Sequence, residues 1–420
     1  MRVDPAPLRG TVDPVISSKS QAHRALICAA MADGTTVLEG VVPSEDVDAT
    51  CGCLTAAGAE IRREGGTLRV TGGPAPEGPV YMDCGESGST LRFLLPMTAA
   101  RGISAALTGR GKLASRPLSP LYEEMTAHGA ALSPQGAFPL TVAGRLTSGI
   151  YTLAGNVSSQ FISGLLMALP LLPGDSEVRI TGPLESAPYV DMTRQMLETF
   201  GVTAEKTDAG FRVPGGQVFR SPGRLRVEGD WSGAAFWLAA GALSEEGVAC
   251  GGLRTDSAQG DRAIVDLLRR FGAEVSGDAG RVRVRRGALR GQRLDLGDIP
   301  DLAPILAVTA AYAEGDTVMT RIGRLRLKES DRVASVLAMI HSLGGAAETA
   351  GDALVIHGRG GLRGGEVDAF HDHRIAMAAA IAGTRTREPV TIIGAEAVSK
   401  SYPGFFEVFE SLGGRKEQVG

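Results

Sequence analysis

A chain of 420 residues, 43% apolar and 21% charged, is too long for one ordinary core and can bury two or three. Its 43 basic and 47 acidic side chains leave a net charge of -4, so no global field draws it to nucleic acid or a membrane surface. Any anion must be caught by local clusters of Lys and Arg, and 5% aromatic residues are too few for base-stacking platforms. The amino terminus, MRVDPAPLRG, has no apolar leader core, and no run approaches the roughly 18–20 apolar residues of a membrane span. A cytoplasmic enzyme is the expectation. Cys28, Cys51, Cys53, Cys84 and Cys250 are odd in number, with no CxxC knuckle, and read as buried thiols rather than a disulfide framework or zinc site.

The N-terminal strand RVDPAPLRGTV comes first and stands outside a repeat that fills the rest of the chain. SSKSQAHRALICAAM from Ser17 predicts a buried helix with a polar opening, and LTAAGAEIRR around Gly58 predicts a second helix, closed by glycine and followed by a strand. The pattern returns with GESGSTLRFLLPMTAA and Gly129, NVSSQFISGLLMALPLL and Gly201, and GDWSGAAFWLAAGAL and Gly272. It closes with DIPDLAPILAVTAAYA and Gly344, then HDHRIAMAAAIAG and Gly413. These glycines fall 69 to 72 residues apart. The helices behind the polar openings are apolar nearly all round and belong inside a domain, with strands outside.

This reading is an α/β (α+β) protein of two inside-out halves, three repeats in each. One half is residues 15–226; the other joins 1–14 to 227–420, with a two-strand hinge near 13–15 and 226–229. Closure about that hinge would exclude water from bound substrate.

The polar openings place backbone N–H groups and the positive helix end where anions bind. Ser20, Ser89 and Ser158 read equally well as plain N-caps. Lys19, Arg24, Arg92, Arg332, Arg374 and Lys400 recur at or beside these starts, which favours a shared anion site over scattered surface charge. Asp301 and Glu329 stand among those cations and suit proton transfer, although Asp301 reads equally as a cap. His371 and His373 are too close together, and lack an HExxH partner, for a metal site to be expected. No Walker loop, GxGxxG or GxSxG elbow is present.

SKSQAHRAL, GESGSTLRF, GNVSSQF, EGDWS, DIPDLAP, RLRLKESDR, HDHRIAMA and VSKSYPGFF, in this order along the whole chain, resemble the 5-enolpyruvylshikimate-3-phosphate synthase family of enolpyruvyl transferases. The resemblance implies two inside-out α/β barrel domains and a cofactor-free, metal-free, monomeric enzyme. Its reaction moves the enolpyruvyl group of phosphoenolpyruvate to the 5-hydroxyl of shikimate 3-phosphate and releases phosphate, on the route to chorismate and aromatic amino acids. It further implies Asp301 as base, with Lys19 and Glu329 as the proton-transfer pair. Phosphoenolpyruvate contacts fall on Lys19, Gly88, Arg92, Lys112, Gln160, Arg332, Arg374 and Lys400. Shikimate 3-phosphate contacts fall on Lys19, Ser20, Arg24, Ser158, Ser159, Gln160, Ser186, Asp301 and Lys328, with Tyr189 beside the ring.

Three positions depart from the family pattern: Lys112 where an arginine is frequent, and Glu86 and Arg324 where asparagine is common. Gly88 matches glyphosate-sensitive members and implies sensitivity. Two rivals remain. A UDP-N-acetylglucosamine enolpyruvyl transferase would carry a reactive cysteine near GRGKLASRP, and no cysteine lies between Cys84 and Cys250. A non-catalytic anion-binding homologue would need the cations but not Asp301 or Glu329.

Overall fold

The computed structural model describes residues 1–278 and 280–418. Its chain divides into two compact units, Met1–Ser18 with Glu228–Gly420, and Lys19–Val227. The crossings therefore fall at 18/19 and 227/228, not at the expected 14/15 and 226/227. Backbone pairing explains the difference: Val15 N donates to Gly251 O at 3.0 Å and Ser18 N to Glu228 O at 2.8 Å, tying residues 15–18 to the discontinuous unit.

Each unit is three copies of one motif. In the continuous unit the buried helices are α1 (Lys19–Met31), α3 (Gly88–Ala100) and α5 (Ser159–Ala168), each followed by an outer helix, α2 (Glu45–Ala56), α4 (Leu121–Ala127) and α6 (Ala187–Thr199). In the discontinuous unit they are α7 (Trp231–Ala242), α9 (Ala303–Ala311) and α11 (His373–Gly383), with α8 (Ile264–Phe271), α10 (Arg332–Ser342) and α12 (Phe405–Ser411) outside them. Every residue of α9 and α11 is buried, as a helix with no polar face demands.

Among the described residues, six four-stranded sheets accompany the helices, each with one parallel pair followed by two antiparallel pairings. The sixth sheet shows where the leftover N-terminal strand goes. Arg2–Asp4 pairs antiparallel with both Val390–Ile393 and Arg415–Glu417, filling the third place that an in-sequence strand takes in the other copies. All six periodic glycines have positive φ, from +73° at Gly201 to +102° at Gly58. They end helices in the left-handed conformation, and at Gly58 a Cβ would also collide with the Pro74 carbonyl.

Two separate hydrophobic cores match the two units. In the discontinuous one, Trp237 stacks on Phe405 with centroids 4.7 Å apart and donates its indole N–H to Tyr402 Oη at 3.1 Å, anchoring the C-terminal helix. Four cysteines are buried as expected, but Cys51 is only half-buried on α2. Among the described residues no helix is long and apolar enough to cross a membrane.

Candidate active site

In the continuous unit the expected residues gather at the starts of α1, α3, α5 and α6. Lys19 opens α1, and its Nζ donates to Asp46 Oδ2 on α2 at 2.7 Å. Arg24, one turn further on, is 2% exposed, and among the described residues its hydrogen bonds go to neutral oxygens. They are Thr193 Oγ1 at 2.7 Å, Ser20 O at 2.7 Å, Tyr189 O at 2.9 Å and Ser163 Oγ at 3.5 Å. Its guanidinium also lies 5.0 Å from the Phe93 centroid. Burial lowers its pKa to about 10, and it stays cationic at neutral pH without a carboxylate partner. That leaves a net positive field where a buried charge is stabilised by an anion.

Ser158 caps α5, its hydroxyl accepting from Gln160 N at 3.3 Å, and Ser159 is the first helical residue. The other two serines are not caps of this kind: Ser87 caps α3, and Ser20 is the second residue of α1. Gln160 joins two helices, accepting from Arg92 Nη1 at 2.8 Å and donating to Ser89 Oγ at 2.9 Å. Ser186, the N-cap position of α6, has φ +55°, a left-handed conformation uncommon outside glycine, and is buried. Lys112 is exposed at the start of a 3₁₀ turn, Leu113–Ser115. The cation against Gly88 is Arg116 instead: a Cβ on Gly88 would stand 2.5 Å from Arg116 Nη1. Sequence reading passed over Arg116; ending the motif GRGKLASRP on its arginine rather than its lysine would have found it.

The discontinuous unit builds its set around Arg332, the first residue of α10 and 1% exposed. Its guanidinium donates to Asp301 Oδ1 at 2.7 Å, Glu329 Oε2 at 2.7 Å and both oxygens of Asp372, at 2.8 and 3.2 Å. Asp301 also accepts from Lys328 Nζ at 3.0 Å and lies 3.4 Å from Arg374 Nη2. It sits in the 3₁₀ turn Pro300–Leu302, whose N-cap is Ile299, while Leu302 is the N-cap of α9. Lys400 Nζ donates to His371 O at 2.9 Å, a carbonyl presented by left-handed backbone at Phe370 and His371.

Asp372 and Asp261 were missed. Asp372 lies inside HDHR between the two histidines; it caps α11, accepts from Ser330 Oγ at 3.0 Å and is completely buried. Burial pushes its carboxyl up, but the adjoining Arg332 outweighs that and holds it below the usual range. Asp261 had no local signal. Its Oδ2 accepts from Ser232 Oγ, while Oδ1 has no hydrogen-bond partner.

Burial first, then the Asp301 charge, pushes Asp261 up to about 7 against the opposing pull of Arg374. With a folded value above the unfolded carboxylate range, the folded protein holds the extra proton. Stability is thus lost as pH rises from about 4 through about 7. Asp261→Asn is expected to abolish that slope, so that urea midpoints move in favour of the variant between pH 5 and pH 8. Midpoints that stay parallel to the parent would refute the assignment.

The family described as EPSP synthase (3-phosphoshikimate 1-carboxyvinyltransferase) matches residues 3–409. The chain is 42% identical to the 3-phosphoshikimate 1-carboxyvinyltransferase of Clostridium kluyveri, covering 99% of this chain and 98% of that protein. It is 41% identical to the enzyme of that name from Clostridium acetobutylicum, covering 99% and 97%. Among solved structures, EPSP synthase from Acinetobacter baumannii superposes with a TM-score of 0.82 at 27% identity, over 98% of this chain and 97% of that one.

Proposed function

Because the chain belongs to the EPSP synthase family, we propose that it transfers the enolpyruvyl group of phosphoenolpyruvate to the 5-hydroxyl of shikimate 3-phosphate, releasing phosphate. The observation that carries the mechanism is one buried guanidinium, Arg332, bonded at once to Asp301, Glu329 and Asp372. Such an arrangement supplies carboxylates of fixed geometry in a site that also attracts phosphate and carboxylate groups.

In this reading Asp301 accepts the proton of the 5-hydroxyl as its oxygen bonds to C2 of phosphoenolpyruvate. Lys19 and Glu329 handle the proton at C3, delivered during addition and withdrawn during elimination. Loss of phosphate from C2 then restores the vinyl double bond. Arg92, Arg116, Arg332, Arg374 and Lys400 neutralise the phosphoenolpyruvate charges, and Gly88, Gln160 and the exposed Lys112 are its remaining contacts. Arg24, Ser20, Ser158, Ser159, Ser186 and Lys328 hold shikimate 3-phosphate, with Tyr189 against the ring. In this reading the enzyme works in the cytoplasm as a monomer.

Phosphate release tests it. Purified protein should release phosphate from phosphoenolpyruvate with shikimate 3-phosphate and not with UDP-N-acetylglucosamine. Activity with the nucleotide sugar, or tight binding of shikimate 3-phosphate with no turnover, would replace it with one of the two rivals.

A further inference from the structure

His23 lies on α1 one turn beyond Lys19 and is 1% exposed. Its Nδ1 is 2.8 Å from Thr50 Oγ1, and its buried Nε2 has no hydrogen-bond partner. From Thr50 a chain of hydroxyls continues to Thr90 Oγ1 at 2.6 Å and from there to Ser87 Oγ at 2.7 Å. It links α1 and α2 to the cap of α3, where Ser87 also accepts from Thr90 N at 3.2 Å.

The direction of this chain follows from proton counting. Thr90 donates to Ser87, which uses its only hydroxyl proton, so at 2.6 Å it accepts from Thr50. Thr50 has then used its proton and must accept from His23. The Asp46 carbonyl competes for the same two protons only at 3.3 and 3.5 Å. His23 Nδ1 is thereby the donor, which makes the neutral ring's Nε2 a bare lone pair. Nε2 is then a buried acceptor without a donor, and the tautomer follows from the hydroxyl chain alone.

Resting on the enolpyruvyl-transfer reading above, we propose that His23 is a positioning residue for that reaction. As the neutral Nδ1–H tautomer it starts a one-way hydrogen-bond chain that fixes the first turn of α3, the turn carrying Gly88 and Ser89 and leading to Arg92. The imidazole touches no substrate. Burial, together with Lys19 and Arg24 and against Asp46, lowers its pKa to about 3, so the ring stays neutral throughout the working range.

The test combines a spectrum with two substitutions. In the full-length wild-type enzyme labelled with 15N-histidine, long-range 1H–15N correlations should show His23, identified by its loss in His23→Asn, as a neutral Nδ1-protonated ring. An Nε2-protonated or charged ring overturns the proposal, and this readout is independent of turnover. His23→Asn returns an amide donor near the place of Nδ1 and should keep the KM for phosphoenolpyruvate within about threefold of wild type, whereas His23→Leu should raise it about tenfold or more. In His23→Leu the KM for shikimate 3-phosphate should move by less than about threefold. Asparagine performing no better than leucine, or leucine matching wild type, overturns the positioning role. Wild-type protein that releases no phosphate would instead defeat the underlying reaction assignment.

Discussion

Asp301→Ala is expected to lower kcat by about 10²- to 10⁴-fold, the range by which a positioned general base accelerates proton transfer. The fold should survive. Arg332 keeps Glu329 and both oxygens of Asp372, and Arg374 N remains bonded to the Asp372 cap. Asp301→Asn separates base from spacer, since the amide fills the same volume but takes no proton at neutral pH; it should be nearly as slow as alanine. Steady-state phosphate release with both substrates saturating is the measurement, and thermal unfolding checks that the variants are folded. A kcat within about threefold of wild type for Asp301→Asn would remove Asp301 from the proton-transfer role.

Arg332→Met carries the largest expected cost in stability. The substitution keeps an unbranched side chain of comparable reach but removes the cation that Asp301, Glu329 and the fully buried Asp372 share. Breaking a buried ion pair on one side costs about 3–5 kcal/mol, and here one cation serves three acids. The sign with pH can be stated. In the parent, Asp372 is held below its unfolded value, so its contribution is present above the usual carboxylate range and is lost only as pH falls through the lower folded value. Without Arg332, burial acts unopposed by its main partner and raises the Asp372 carboxyl, and the folded variant then binds a proton the unfolded chain has released. The deficit in urea-measured stability should therefore be greatest near pH 8 and shrink towards pH 5. An equal deficit at both pH values would mean that lost packing, rather than stranded charge, causes the damage.

These two residues also mark how far local reading reaches. The repeat was legible because its signals lie within a few residues of each other. A helix-closing glycine, a polar opening and an all-apolar helical run each follow from backbone conformation and burial in one stretch of chain. All six glycines take the left-handed conformation that such a stop requires. The inventory of cations and the order of the motifs were likewise available, because charge type and position need no partner to be seen.

What only the tertiary structure decided is which of those groups meet. Asp301 and Arg332 lie in one repeat and Asp372 in the next, and the packing of α9, α10 and α11 brings the two acids onto one guanidinium. Asp261 acquires its raised pKa from burial and from a carboxylate in another repeat, and nothing adjacent in sequence announces it. Arg116 rather than Lys112 lies on Gly88 because the turn at Leu113–Ser115 leaves the lysine exposed and returns the chain towards α3. The N-terminal strand, outside the repeat when read in order, completes the last sheet by pairing across almost the whole length of the chain. Sequence by itself determined the parts and their conformations, since these arise from short-range sterics and hydrophobic pattern; the structure alone decided the pairings, since contact between distant residues is set by packing.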